Sequence, residues 1–159
     1  MSQPFYCTTP IYYVNSNPHI GHAYTTIVSD AIIRFRRLFG EEAYFLTGTD
    51  EHGQKIAESA AKAKMEPQAF VDMVTRKFQE LWPELHIEPD QFIRTTEERH
   101  KQIVQQILQQ IYDNGEIFLK EYEGHYCVGC EEFLNESELV EGQCPTHQKA
   151  PEFRQERNY

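Results

Sequence analysis

Between Phe5 and Thr47 an apolar run, an amphipathic stretch and a second apolar run follow one another, and this order limits the fold more than anything else in the 159 residues. Residues 5–9 are aromatic or β-branched around one cysteine, which predicts a buried strand ended by Pro10. Asn15-Ser16-Asn17-Pro18 predicts a loop. Ile20, Ala23, Tyr24, Ile27, Val28, Ala31, Ile32, Phe35, Leu38 and Phe39 then recur at three- and four-residue intervals, one wide apolar stripe of a helix. Arg34, Arg36 and Arg37 complement the C-terminal end of its dipole, and Gly40 supplies the stop. Residues 43–47 predict a second strand. Strand, helix and strand in this order form a βαβ unit with parallel strands and a right-handed crossover, so the fold class is α/β.

Ligands of parallel α/β sheets bind beyond the carboxyl ends of the strands. The loops 10–19 and 48–53 are therefore expected to open at one edge of the sheet. The first ends in Pro18-His19-Ile20-Gly21-His22, at the start of the long helix. Free N–H groups and the helix dipole favour an anion there, two imidazoles add hydrogen-bond donors, and Gly21 admits close approach of a phosphate or base. Two histidines at this spacing also suit an incidental surface pair or part of a metal site. The second loop, Thr47-Gly48-Thr49-Asp50-Glu51-His52-Gly53, offers Asp50 either as acceptor for a substrate ammonium or as an N-cap. Ile11 and Tyr13 suit a pocket wall or plain core, and Tyr6, Cys7, Tyr12 and Tyr24 are assigned to the core.

Cys127-Val128-Gly129-Cys130 and Cys144-Pro145-Thr146-His147 are separated by thirteen residues. Two ligand pairs, each with two residues between its members, suit one tetrahedral zinc ion, closed and therefore structural. A disulfide pair or a redox motif is the alternative. Three clustered cysteines leave one unpaired, and no basic cleavable leader opens the chain, which favours zinc and a cytoplasmic setting. His125 is a further ligand candidate.

The middle of the chain predicts helices over 54–64 and from Pro67 to Pro83, the latter with Phe70, Val71, Val74, Phe78, Leu81 and Trp82 as its core stripe. A loop over 84–91, a short strand over 92–95 and a helix to Asp113-Asn114-Gly115 follow, the helix opening with Thr95 and Glu98 at capping-box spacing. Residues 118–126 predict a strand and 131–143, with five glutamates, a hairpin or loop; 154–159 show no closing helix or cap. The change of character near Gly115 predicts domains 1–115 and 116–159. Net charge is −10, with 25 acidic against 15 basic residues, so strong binding to a phosphate backbone is not expected. Arg34, Arg36 and Arg37, or Arg94, Arg99, His100 and Lys101, are expected as solvated faces or dipole complements. No run is long and apolar enough for a membrane helix.

Thr8-Thr9-Pro10-Ile11-Tyr12-Tyr13-Val14-Asn15, His19-Ile20-Gly21-His22, Thr47 to Lys55 and Phe92-Ile93-Arg94-Thr95-Thr96 with Arg99-His100 together resemble the opening of the bacterial methionyl-tRNA synthetase family. The resemblance covers nearly the whole chain. It implies the N-terminal half of a class I, His-Ile-Gly-His-type, Rossmann-like nucleotide-binding fold, followed by the start of a zinc-binding connective insertion. His19 and His22 would be catalytic and, with Gly21, would bind ATP; Ile11, Tyr13 and Asp50 would bind methionine; Cys127, Cys130, Cys144 and His147 would hold one structural zinc. The full enzyme would use methionine, ATP with magnesium, and tRNA(Met). This chain lacks the family's Lys-Met-Ser-Lys-Ser-type loop and the anticodon-binding helices, so it is expected to be a fragment, inactive alone and weak on tRNA. Half a doubly wound sheet would leave an unpaired edge and an uncovered face. A stand-alone zinc-binding interaction module, or a nucleotidyltransferase sharing the His-x-Gly-His device, are the competing readings.

Overall fold

A parallel sheet centred on one long strand organises the first part of the computed structural model, which describes residues 3–159. The chain runs through β1 (Phe5–Thr8), β2 (Tyr12–Tyr13), α1 (Ile20–Leu38), β3 (Ala43–Asp50), α2 (Gln54–Lys62), α3 (Pro67–Glu84), β4 (Gln91–Arg94) and α4 (Glu98–Asp113). It continues through β5 (Lys120–Cys127), β6 (Glu132–Leu134), a 3-10 turn (Glu136–Glu138) and β7 (Glu152–Asn158). Two compact units result, one ending at Gln102 and one spanning Ile103–Tyr159.

In the first unit β1 lies parallel to β3, with Phe5 opposite Ala43 and Thr8 opposite Leu46. β2 continues along the same side, placing Tyr12 opposite Thr49 and Tyr13 opposite Asp50. β4 takes the other side of β3, from Leu46 opposite Gln91 to Thr49 opposite Arg94. The expected βαβ unit is present, with β3 running three residues beyond the predicted end at Thr47. Gly48 makes the β3–β4 contact possible: a Cβ there would lie 2.1 Å from the Ile93 carbonyl oxygen.

Val14, Ile33, Phe45 and Phe78 are fully enclosed, and Ile56, Val71, Val74, Trp82 and Ile87 pack with them. Burying a side chain such as Phe78 contributes about 1.5–3 kcal/mol. The core therefore lies between the sheet and helices α2 and α3, with Ile33 of α1 contributing to it. Helix α1 turns a different face inward from the one its apolar stripe predicts. Only Thr26, Ser29, Asp30 and Ile33 are buried, while Ile20 (87% exposed), Tyr24 (71%) and Leu38 (81%) face outward. Polar bonds fix this orientation. The Thr26 hydroxyl donates to the His22 carbonyl and is 2.8 Å from the Tyr12 hydroxyl, and Asp30 accepts from the Glu88 N–H. Tyr24, expected in the core, is thus exposed; Tyr6, also expected there, is exposed on β1 beside the Tyr44 ring at 5.6 Å, while Tyr12 is buried and Cys7 half-buried. Among the described residues β1 has a strand partner on one side only. Strand β1 therefore has an open edge, and the outward apolar residues of α1 are uncovered among the described residues.

The basic residues expected on solvated faces are engaged. Arg34 pairs with Asp30, Arg36 with Glu41, and Arg37 with Asp90 and the Ala43 carbonyl. Arg94 is turned inward instead of solvated, as described below. Thr95 does not cap α4: the helix starts at Glu98, and the Thr95 hydroxyl accepts from the Glu51 N–H.

The second unit holds an antiparallel sheet in the order β6-β5-β7. β7 occupies the segment expected to lack a closing element, pairing from Glu152 opposite Tyr126 to Asn158 opposite Lys120. Its charged residues hide the alternation, but Glu121 opposite Arg157 is a favourable cross-strand match. The apolar stripe of α4 is present, with none of its residues buried.

Gly48→Ala places its methyl against a backbone carbonyl that no rotamer change relieves. It is expected to cost more than about 3 kcal/mol in urea denaturation, beyond ordinary overpacking. A variant within about 1 kcal/mol of wild type would contradict the close β3–β4 approach.

Candidate functional site

Helix α1 begins with a cap made by two histidines. His19 is the N-cap, with φ −137° and ψ 175°, and its Nδ1 accepts from the Gly21 N–H at 3.1 Å. His22 Nδ1 in turn accepts from the His19 N–H at 3.2 Å. This is the reciprocal capping box with imidazoles in place of a hydroxyl and a carboxylate. An Nδ1 that accepts carries no proton, so each neutral ring holds its hydrogen on Nε2. The rings stack at 3.7 Å between centroids. Gly21 allows this, since a Cβ there would sit 2.9 Å from His19 Cε1. Beneath the pair, the His22 ring meets Tyr12 at 4.7 Å and the edge of Phe78 at 5.1 Å. Burial lowers the His22 pKa, and the neighbouring His19 lowers it further. The helix start thus presents Nε2–H donors and a partly positive backbone, an arrangement suited to phosphate oxygens.

β2 links this cap to the end of β3. The Tyr12 ring touches His22, while its backbone neighbours Thr49, and the next residue pair is Tyr13 opposite Asp50. His22 and Asp50 are therefore gathered at the carboxyl edge of the sheet on either side of two residues of backbone. Asp50 is half-buried, and no side chain among the described residues pairs with its carboxylate. The N-cap of α2 is Gly53, without a side-chain cap bond, so Asp50 does not cap that helix. Ile11 (40% exposed) and Tyr13 (44%) stand outside the core, and Lys55 Nζ lies 5.5 Å over the Tyr13 ring.

Glu51, given no role in the sequence reading, is the most heavily bonded residue of this edge. Its side chain is fully buried. Oε1 accepts from Thr49 at 2.7 Å, Thr75 at 2.6 Å and Arg94 Nε at 2.7 Å. Oε2 accepts from Arg94 Nη2 at 2.9 Å and from the Thr96 hydroxyl. Arg94 Nη2 also pairs with Asp72 of α3 at 2.5 Å. Burial pushes the Glu51 carboxyl up, but the bonds from Arg94, Thr75, Thr96 and Thr49 together outweigh it and hold it below the usual carboxylate value. Strand alternation does not single it out: Thr47, Gly48 and Thr49 are buried in succession, and Glu51 follows the end of β3 at Asp50. His52, next along, lies with Nε2 3.3 Å from the Thr95 carbonyl.

In the second unit Cys127, Cys130, Cys144 and His147 converge, their ligand atoms all within 4.8 Å of one another. Both ligand pairs adopt the same turn. The Glu131 N–H donates to the Cys127 carbonyl and the Gln148 N–H to the Cys144 carbonyl, each at 2.8 Å. Glu131 (φ 57°) and Gln148 (φ 51°) close the two turns in the left-handed region. Gly129 leaves room for the His147 ring, whose Cδ2 would lie 2.5 Å from a Cβ there. The Cys144 thiol is pulled down to about 6, first by the His147 backbone N–H, and Cys144 in turn pushes Cys130 up to about 11. A cluster holding one thiolate this readily is compatible with a soft metal ion. All the cysteines are free thiols, and His125 lies outside the cluster, near Glu136 and Phe153.

The family model described as "tRNA synthetases class I (M)" matches residues 5–157. A methionine–tRNA ligase of Thermosynechococcus vestitus is 52% identical over 161 aligned residues, covering 100% of this chain and 30% of the relative. One of Thermotoga maritima is 50% identical, covering 98% of this chain and 25% of the relative. The chain thus spans between a quarter and a third of the length of these relatives. The solved Mycobacterium tuberculosis methionyl-tRNA synthetase in complex with methionyl-adenylate superposes with a TM-score of 0.90 at 39% identity, over 98% of this chain and 31% of that one.

The histidine cap makes a testable demand on pH. The His22 pKa is lowered from 6.5, so its contribution to stability is complete above pH 6.5 and is lost as pH falls through the folded value, where Nδ1 gains a proton and can no longer accept. Imidazole NMR titration is expected to place the His22 midpoint below 6.5; a midpoint above it would contradict the cap.

Proposed function

The chain belongs to the methionine branch of the class I tRNA synthetases, and on that premise we propose that it carries the ATP- and methionine-binding edge of a methionine–tRNA ligase. In this reading residues 1–115 are the N-terminal half of the nucleotide-binding domain, and 116–159 belong to the connective insertion. The observation that carries the proposal is the juxtaposition across β2 of the two-histidine cap with the Asp50 carboxylate, which no side chain among the described residues pairs.

The reaction it supports is attack of a methionine carboxylate oxygen on the α-phosphorus of ATP. A carboxylate–phosphorus bond forms, the bond to the bridging oxygen of the leaving group breaks, and pyrophosphate departs with its magnesium. His19 and His22, through Nε2–H, and the N–H groups near Gly21 hold the phosphate oxygens as negative charge redistributes. Preorganised donors of this kind act electrostatically, with no proton transfer required of them. Asp50 holds the methionine ammonium, and Ile11 and Tyr13 line the place of the thioether. The methionyl carbonyl then passes to a ribose hydroxyl at the 3′ end of tRNA(Met), an ester bond forming as the carboxyl–phosphate bond breaks and AMP leaves. With its acidic balance and its arginines largely paired, this segment contributes little to holding that tRNA.

The cysteine–histidine cluster is read as a structural zinc site. Zinc bonds of about 2.3 Å to sulfur and about 2.0 Å to nitrogen, at tetrahedral angles, put the ligand atoms about 3.5–3.8 Å apart. The Cys130–Cys144 sulfurs are 3.6 Å apart, and His147 Nδ1 is 3.3, 3.7 and 3.9 Å from Cys130, Cys127 and Cys144. The ion would crosslink the two turns and provide no chemistry to the reaction. A set of three reduced thiols fits a reducing compartment, hence the cytoplasm.

Methionine-dependent ATP–pyrophosphate exchange by the full-length protein tests the activity. His22→Ala is expected to lower kcat by about 10²–10³-fold, the usual loss of one oxyanion-type donor. Exchange unaffected by His22→Ala would contradict the role of the cap. Metal analysis is expected to find one zinc per chain, and Gly129→Ala to weaken its retention against a chelator by about tenfold or more. Equal retention would contradict the packing of His147 on Gly129.

A further inference from the structure

Glu51 cannot touch a substrate, because its side chain is fully buried. It is nevertheless the residue between Asp50 and His52, both of which stay partly accessible. Its carboxylate takes bonds from three separate elements: Thr49 on its own strand, Thr75 on α3, and Arg94 with Thr96 at the end of β4. Its backbone N–H is also held, donating to the Thr95 hydroxyl at 2.8 Å. Position 51 is thereby fixed through both main chain and side chain. Asp50, one residue before it, is held through its backbone opposite Tyr13, while its carboxylate has no side-chain partner among the described residues.

We propose that Glu51, clamped by Arg94, is a positioning residue for methionine: it sets the direction of the strand end so that the Asp50 carboxylate faces the substrate ammonium. This rests on the reading of Asp50 given above. The clamp is directional in a way a generic packing contact is not. Arg94 meets Glu51 with Nε and Nη2 at 2.7 and 2.9 Å, a planar two-point grip that fixes rotation as well as distance. The same guanidinium reaches Asp72, so α3 and the end of β4 move with the strand end or not at all. The histidine rings make no hydrogen bond to this network and meet it only through packing, on Tyr12 beside Thr49 and on the edge of Phe78 on α3. The inference therefore separates the two substrates: loosening the clamp disturbs methionine recognition and spares ATP.

The test compares Asp50→Asn, Glu51→Gln and Arg94→Lys in the full-length protein, with separate KM values for methionine and ATP in exchange, and methionine binding by calorimetry. Glu51→Gln is expected to raise the methionine KM by about tenfold or more, in the range that small misplacements produce, with the ATP KM changed less than about twofold. Arg94→Lys, which keeps the charge and loses the two-point grip, is expected to give a smaller change of the same kind. It supplies the readout should Glu51→Gln fail to fold. A purely structural role predicts a different pattern, a fall in kcat with folded fraction and both KM values unchanged, and that result overturns the proposal. A raised methionine KM in Asp50→Asn with none in the other two variants overturns the positioning role alone. An unchanged methionine KM in Asp50→Asn, or wild type that binds no methionine, overturns the reading of Asp50 and the inference with it.

Discussion

A single buried carboxylate ties together the elements around the carboxyl edge of the sheet. Glu51 is charged, enclosed and saturated by hydrogen bonds from Thr49, Thr75, Thr96 and both forks of Arg94. Such a group adds little net stability over a well-packed apolar substitute, because desolvation cancels most of the attraction. Removing one partner is another matter: an orphaned buried charge costs about 3–5 kcal/mol. The network thus tolerates only one relative placement of β3, α3 and the end of β4. That placement brings Asp50 level with Tyr13 and, through Tyr12, beside the histidine cap.

The cap itself shows how one pair of residues serves structure and chemistry together. Each histidine spends its Nδ1 on a backbone N–H that the helix start would otherwise leave open. The proton is thereby assigned to Nε2, the nitrogen turned away from the backbone. Helix stability and the tautomer needed to meet a phosphate oxygen come from the same two bonds.

The parallel βαβ unit, the helix starts at Ile20 and Pro67 and the cysteine–histidine turns were legible from periodicity, proline placement and spacing. What covers an apolar stripe was not. Amphipathicity says which side of α1 is apolar, whereas Thr26 and Asp30 decide which side faces the sheet, through bonds to Tyr12 and Glu88 distant in sequence. For the same reason Tyr24 could not be placed, and Tyr6 depends on which face of β1 is covered, which its own strand does not say. β7 was hidden because its residues are mostly charged and its partner, β5, precedes it by a long connection. At the site, residue types pointed to His19, His22 and Asp50. The role of Glu51 depends on Arg94, forty-three positions away, and no local pattern encodes that pairing.

The most direct measurement is the structure of the protein bound to a non-hydrolysable methionyl-adenylate analogue. The account predicts the analogue's ammonium about 3 Å from the Asp50 carboxylate, with its phosphate-mimicking group at Nε2 of His19 and His22 and the Glu51–Arg94 bonds intact. An ammonium seated on any other carboxylate, or a ligand bound away from the start of α1, would contradict it.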